Sequence, residues 1–187
     1  MSKAVMISIR PKWCEKICNG KKTIEIRKTR PKLQPPFKCY IYCTKDKHLA
    51  FMQNASGTNL IACMDVDAAI PVGGAIGNGK FIGEFTCDDI YEIDPTKTIG
   101  AGFAEDSCVS SRDIHEYLGG QTGYGWHISD LKIYDEPKEL SEFQRATDPC
   151  DSCRAEYTWE CTGCKNLSGD IKRAPQNWCY VEAMDNG

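Results

Sequence analysis

Short runs of β-branched and aromatic residues, divided by turns, are what most constrain the fold of this chain. Val5–Ile9 (VMISI), Lys22–Arg27, Cys39–Thr44 (CYIYCT), Lys80–Ile93, Trp126–Tyr134 and Trp178–Ala183 each read as a strand, because such side chains pack well on a pleated surface. Two stretches between them carry a helical pattern. Pro11 opens the first, which runs to about Asn19 and is stopped by Gly20 in the manner of a left-handed cap. Ser110–Leu118 is the second, with Ser110 or Ser111 as N-cap and Gly119 and Gly120 behind it. Five or six strands, with one helix between the first two and another between the fourth and fifth, predict an α+β fold: a small, mostly antiparallel closed barrel with short peripheral helices. A bend is expected at Gly83, and a bulge where Ile128 and Leu131 break the alternation of Trp126–Tyr134. Residues 45–79 lose the pattern and read as an elaborated connection, in which Met64–Ile70 is a minor strand or helix.

The 187 residues suffice for one sizeable core, so residues 1–187 are read as a single domain, with insertions at 45–79 and 146–174. No apolar run approaches the roughly 20 residues that span a bilayer, and the N-terminal MSKAVMISIRPKW has no signal core. A cytoplasmic location, with no membrane partner, is the expectation. The twelve cysteines are then better read as thiols and metal ligands than as a disulfide framework. Cys39, Cys43, Cys63 and Cys87 lie in apolar stretches and read as small buried hydrophobes.

Four other cysteines form a spaced set. Cys150-x-x-Cys153 and Cys161-x-x-Cys164 present two thiolate pairs that can converge on a tetrahedral ion. Zinc fits best, although four thiolates also suit an iron–sulfur cluster. Such a site has no open coordination position, so a structural zinc knuckle is predicted, with metal binding supplying much of the insert's folding free energy. Trp159, Arg154, Lys165, Lys172 and Arg173 can add a nucleic-acid contact there, or the insert can simply close a loop.

Charge is distributed unevenly. Residues 1–48 carry 13 Lys and Arg against 3 Asp and Glu, while the rest carries 10 against 23, for a net −3 overall. One basic face on an otherwise acidic chain disfavours a general duplex binder and suits a local anion site or a short single strand. A solvated lysine-rich surface is the plainer alternative.

The densest chemistry in that basic third is Gly20-Lys21-Lys22-Thr23-Ile24-Glu25-Ile26-Arg27. Alternation puts Thr23, Glu25 and Arg27 on one strand face and Ile24 and Ile26 on the other. A carboxylate between cations keeps its charge and orients them, and an arginine so held offers a fixed fork to a phosphate or a base edge. The same residues also read as an ion pair that rigidifies a barrel mouth. Ser8, Arg10 and Trp13 lead into this segment and can line the same cleft. Trp13 or Trp126 can stack a base or pack in the core, with the same ambiguity at Tyr124 and Trp178. His127 can act as a general acid or base near neutral pH, or sit in a structural polar network.

Gly20, Lys22, Glu25 and Arg27 match the G-x-K-x-x-E-x-R signature of the ASCH domain family, which has a PUA-like barrel. ISIRPKWCEKI, CYIYCT, GKFIGEF, GYGWHISDLKIYDEP and APQNWCYVE also resemble short ASCH proteins of bacteria and their phages. The resemblance implies a cleft that binds RNA or a nucleotide, with Arg10, Trp13, Lys22, Thr23, Glu25, Arg27 and Trp126 as the candidate ligand residues. Some small members are enzymes, an amidohydrolase acting on acetylated cytidine and a ribonuclease. Lys22 matches the amidohydrolase's lysine, but Glu25 stands where its threonine nucleophile would be, and Glu105 is only a positional guess for its glutamate. Three readings therefore stand: a single-stranded RNA or nucleotide binder with a basic cleft; a hydrolase using Lys22, Glu25 and His127; and a protein-interaction module docking through the zinc knuckle.

Overall fold

The computed structural model describes residues 2–53, 59–63, 75–146, 169 and 171–184, with backbone only for 59–63. In chain order the elements are β1 (Lys3–Ile9), α1 (Pro11–Cys18), β2 (Ile24–Arg27), β3 (Phe37–Cys43), β4 (Leu49–Gln53), β5 (Asn59–Cys63) and β6 (Ala75–Ile76). There follow β7 (Phe81–Cys87), β8 (Ile90–Ile93), α2 (Ala101–Ser107), α3 (Ser111–Leu118), β9 (Gly123–His127), β10 (Ser129–Lys138), a 3₁₀ turn (Leu140–Glu142) and β11 (Trp178–Glu182). No described helix is long and apolar enough to cross a membrane.

The strands form three ladders: β10-β7-β3-β1-β11, β2-β9-β8 and β5-β4-β6. All pairs are antiparallel except β1 with β3, which α1 and β2 separate in the chain as a parallel pair requires. This is a mixed α+β fold with mostly antiparallel pairing, as the sequence predicts. A closed barrel is not formed among the described residues, and their strand count of eleven exceeds the expected five or six. The extra strands have identifiable origins. Lys80–Ile93 is two strands, β7 and β8, in different sheets. Trp126–Tyr134 spans β9 and β10, which part at Ile128 as the chain leaves the small sheet for the large one. Ile128 N–H bonds instead to the Thr23 carbonyl at 2.8 Å. Gly83 lies within β7 at a close approach of strands, where a Cβ would meet the Lys132 carbonyl at 2.5 Å. Residues 45–79 hold β4, β5 and β6, while Met64–Ile70 and nearly all of 146–174 lie outside the described residues.

β1 is buried on both faces, which is why it reads as an almost unbroken apolar run. Val5, Ile7 and Ile9 pack with Cys14 and Ile17 of α1, with Phe85 and with Trp126. Ala4 and Met6 point the other way, toward Tyr40, Phe81, Phe143 and Val181. Cys39, Cys43 and Cys87 are buried and free. Burial pushes the Cys39 thiol up and the Cys87 thiol up to about 12, so these sulfurs behave as apolar groups and not as thiolates.

A third cluster fixes what surrounds β2. Ile24 and Ile26 pack against Ile114 and Leu118 of α3 and Ile93 of β8. Burying such a side chain stabilises by roughly 1.5–3 kcal/mol relative to exposure, and that clamps α3 beside the strand. α3 starts where Ser110 Oγ accepts from Asp113 N–H at 3.1 Å and ends at Gly119, whose φ is 63°. With the isoleucines turned toward the helices, Glu25 and Arg27 must face the other way, between β2 and the β1–α1 junction.

Candidate functional site

α1 delivers the first site residue. The turn after it is wound tightly: Gly20 adopts φ 69°, and the amides of Lys21 and Lys22 both reach the Lys16 carbonyl, at 2.8 and 3.0 Å. The Lys22 side chain is thereby aimed inward, and only 2% of the residue is exposed. Its ammonium donates to the carbonyls of Ile24 (2.8 Å) and Ser107 (2.7 Å), lies 3.3 Å from Glu25 Oε2, and stands 5.1 Å from the centre of the Trp13 ring. Two of the three N–H donors of the ammonium are thus held by backbone carbonyls, with the Glu25 carboxylate beside it as counter-charge.

Glu25 continues the row. Its other oxygen, Oε1, lies 3.0 Å from Arg27 Nη2. Arg27 Nη2 also donates to the Ser8 carbonyl at 2.7 Å, and Nη1 donates to Asn177 Oδ1 at 2.8 Å. Asn177 is itself oriented, since its Nδ2 donates to Thr29 Oγ1 at 3.1 Å. The guanidinium is therefore held from β1, β2 and the approach to β11 at once. Its Nε–H is buried with no hydrogen-bond partner among the described residues. Glu25 and Arg27 are 6% and 8% exposed. Two cations against one carboxylate leave a net positive charge almost out of water, a field that favours an incoming anion.

These groups form one side of a cleft of about 480 Å³, within the range of pockets that take small organic ligands. Ser8, Arg10 and Trp13 join Lys22, Glu25 and Arg27 along it, with Arg10 exposed at the mouth. The facing wall is α3, through Asp113, Ile114 and Tyr117, with Val109 ahead of it. Ile26, Thr44 and Gln176 complete the lining. Tyr117 has its phenol pushed up, mainly by burial, with Glu25 adding to the rise and Arg27 and Arg10 opposing it.

Four of the residues read from sequence stand elsewhere. Thr23 is half-buried outside this lining, its backbone engaged with the Asp106 carbonyl and the Ile128 N–H. Trp126 pairs opposite Glu25 in the ladder but is fully buried behind it, with the rings of Phe37 and Trp178 at 6.0 Å. Ligand cannot reach that ring without opening the core. His127 pairs opposite Ile24, so its side chain leaves on the face away from Glu25. There its Nδ1 meets Asp88 Oδ1 at 2.6 Å, and this bond holds the Asp88 carboxyl below its usual range. Glu105 is exposed on α2 and outside the cleft lining.

Sequence reasoning missed Asn177, the Ser107 carbonyl, Asp113 and Tyr117. The last two had a readable signal: they lie four apart on α3, beside the apolar Ile114–Leu118 stripe. Cys150, Cys153, Cys161 and Cys164 lie outside the described residues. Among the described residues no group of three or more His, Cys, Asp or Glu is placed to hold a metal ion.

The comparisons agree with one another. A family model described as the ASCH domain matches residues 7–161. The fold is similar to a crystal structure of ASCH from Zymomonas mobilis, at 18% identity over 73% of each chain, with a TM-score of 0.50. It is likewise similar to a mutant form of the Zymomonas mobilis protein, at 18% identity over 74% of this chain and 77% of that one, with a TM-score of 0.51. No curated protein matches by sequence.

Proposed function

The chain belongs to the ASCH domain family, and from that premise we propose that it binds RNA or a nucleotide in the cleft between β2, α1 and α3. The observation that carries the reading is the buried Lys22–Glu25–Arg27 row, with its surplus positive charge and the unpartnered Nε–H of Arg27. Arg27 and Arg10 neutralise phosphate. Glu25 and Asp113 are acceptors for the donor groups of a base or sugar, and Trp13, half-buried against Lys22, offers a ring face. Lys22 is read as the post that holds Glu25, because it is buried and anchored to two backbone carbonyls. The family's general association with RNA favours this class of ligand over other anions. The three ladders are read as that family's PUA-like barrel, opened between sheets.

A hydrolase built on Lys22, Glu25 and His127 finds less support, since His127 leaves on the opposite face of β9 and Lys22 is buried with its ammonium tied to two backbone carbonyls. The test of the binding reading is a fluorescence-anisotropy titration of short single-stranded RNA across salt concentrations. The two phosphate contacts, at Arg27 and Arg10, give a slope of log K against log salt of about −1.4, at about −0.7 for each contact in a single strand. Absence of binding to RNA and to mononucleotides at low salt overturns the reading.

For the cysteine-rich insert we propose a structural zinc held by Cys150, Cys153, Cys161 and Cys164, on the strength of their spacing. Purified protein is expected to carry about one zinc per chain by elemental analysis, and Cys150→Ser to lose it. Metal-free protein with the wild-type melting curve rules the site out.

A further inference from the structure

Two cation–aromatic pairs stand where β2 runs out of the cleft, and the ligand contacts proposed above use neither, although Tyr117 lines the cleft wall. Tyr117 is among the most exposed large apolar side chains described, at 45%. Its ring borders the cleft, and Lys28 Nζ lies 5.1 Å from the ring centre. On the other side of the strand, the Arg30 guanidinium lies 6.0 Å from the centre of the Tyr124 ring. Tyr124 pairs opposite Arg27 across the ladder, so its ring lies on the face that carries the anion socket.

The end of β2 that leaves the cleft is thus flanked by two ring–cation pairs, Tyr117 with Lys28 at the cleft border and Tyr124 with Arg30 on the other side of the strand. A lone nucleotide needs one socket and one ring face, and the cleft already supplies both. A further ring with its own cation matches the repeat of a single strand, one base and one phosphate per unit. An exposed ammonium resting on a tyrosine is a weaker contact than a stacked base, so an arriving base displaces it and frees the cation for the adjoining phosphate. Lys28 and Arg30 belong to the basic N-terminal third of an otherwise acidic chain.

Resting on the nucleotide reading of the cleft, we propose that Tyr117 with Lys28, and Tyr124 with Arg30, form a rim subsite for the nucleotide adjoining the one in the cleft. The ligand class is then single-stranded RNA of two or more nucleotides, not a free nucleoside or mononucleotide.

Isothermal titration with a ribotrinucleotide and with the matching mononucleotide tests this. Wild type is expected to bind the trinucleotide about 10-fold or more tighter, as one added stack provides. Lys28→Ala combined with Arg30→Ala is expected to remove most of that advantage while leaving mononucleotide affinity within about twofold, and to flatten the salt slope by about one. Tyr117→Phe keeps the advantage and Tyr117→Leu loses it, a contrast that separates stacking from bulk. A wild-type ratio near one, or a ratio unchanged in the lysine–arginine variant, overturns the rim subsite while the cleft stands. Failure of both ligands to bind wild type overturns the cleft and the rim together.

Discussion

Glu25→Gln is expected to lower the free energy of unfolding by about 3 kcal/mol, because it leaves two buried cations without their shared counter-charge. Lys22 and Glu25 are 2% and 6% exposed and Arg27 8%, so water cannot replace the lost carboxylate. The remaining partners, carbonyls of Ser8, Ile24 and Ser107 and the Asn177 amide, solvate each cation without neutralising either. With a urea m-value of about 2 kcal/mol/M, the unfolding midpoint moves down by about 1.5 M. Against a total stability of roughly 5–15 kcal/mol, that is a large fraction. A second variant checks the cause: exchanging all three for apolar residues of similar volume is expected to recover most of the loss, as seen when whole buried ion networks are replaced. A Glu25→Gln midpoint within about 0.3 M of wild type would show that the row is hydrated in solution and that its charge is not confined.

Arg27→Lys is expected to weaken RNA binding about 30-fold, or roughly 2 kcal/mol, in a protein that remains folded. The change preserves charge, so loss of affinity reports geometry. Arg27 joins the Ser8 carbonyl, Glu25 and Asn177 through two different nitrogens while its Nε–H stays unpartnered. A lysine ends in a single nitrogen and cannot hold three anchors in one plane while leaving a donor for the ligand. The measurement is the anisotropy titration at fixed low salt, with circular dichroism to confirm the fold. Affinity within twofold of wild type would remove Arg27 from the binding role.

The runs of β1, β3 and β7 were legible because they are buried almost throughout and therefore carry few polar interruptions. The helix from Pro11 and the helix capped by Ser110 were legible because their start and stop signals are local. What local signals cannot convey is which ladder a strand joins. Trp126–Tyr134 keeps its β-forming composition straight through Ile128, where the chain changes sheets, so one run became two strands. α2 went unread because four of the seven residues of AGFAEDS are small and it has little periodic apolar content. The same limit governs the site. Lys22, Glu25 and Arg27 lie within one short motif and were found together. Trp126 and His127 are adjacent in sequence to each other and cross-strand to that motif, yet alternation sends one into the core and the other to the far face. Asn177 was unreadable, since nothing near it marks an asparagine that meets Arg27 across 150 positions.

That long reach has a consequence for how the protein is made. Ser8 N–H bonds to the Asn177 carbonyl at 2.9 Å, Ser8 Oγ to the Pro175 carbonyl at 2.7 Å, and β11 lies against β1. During translation, the signature motif emerges early with its guanidinium only partly anchored. The ribosome must release the segment around Asn177 before the socket can close. The proposed binding cleft is thereby left unfinished in nascent chains, and a message that ends before Asn177 yields a product with the motif intact and Arg27 lacking its Asn177 anchor.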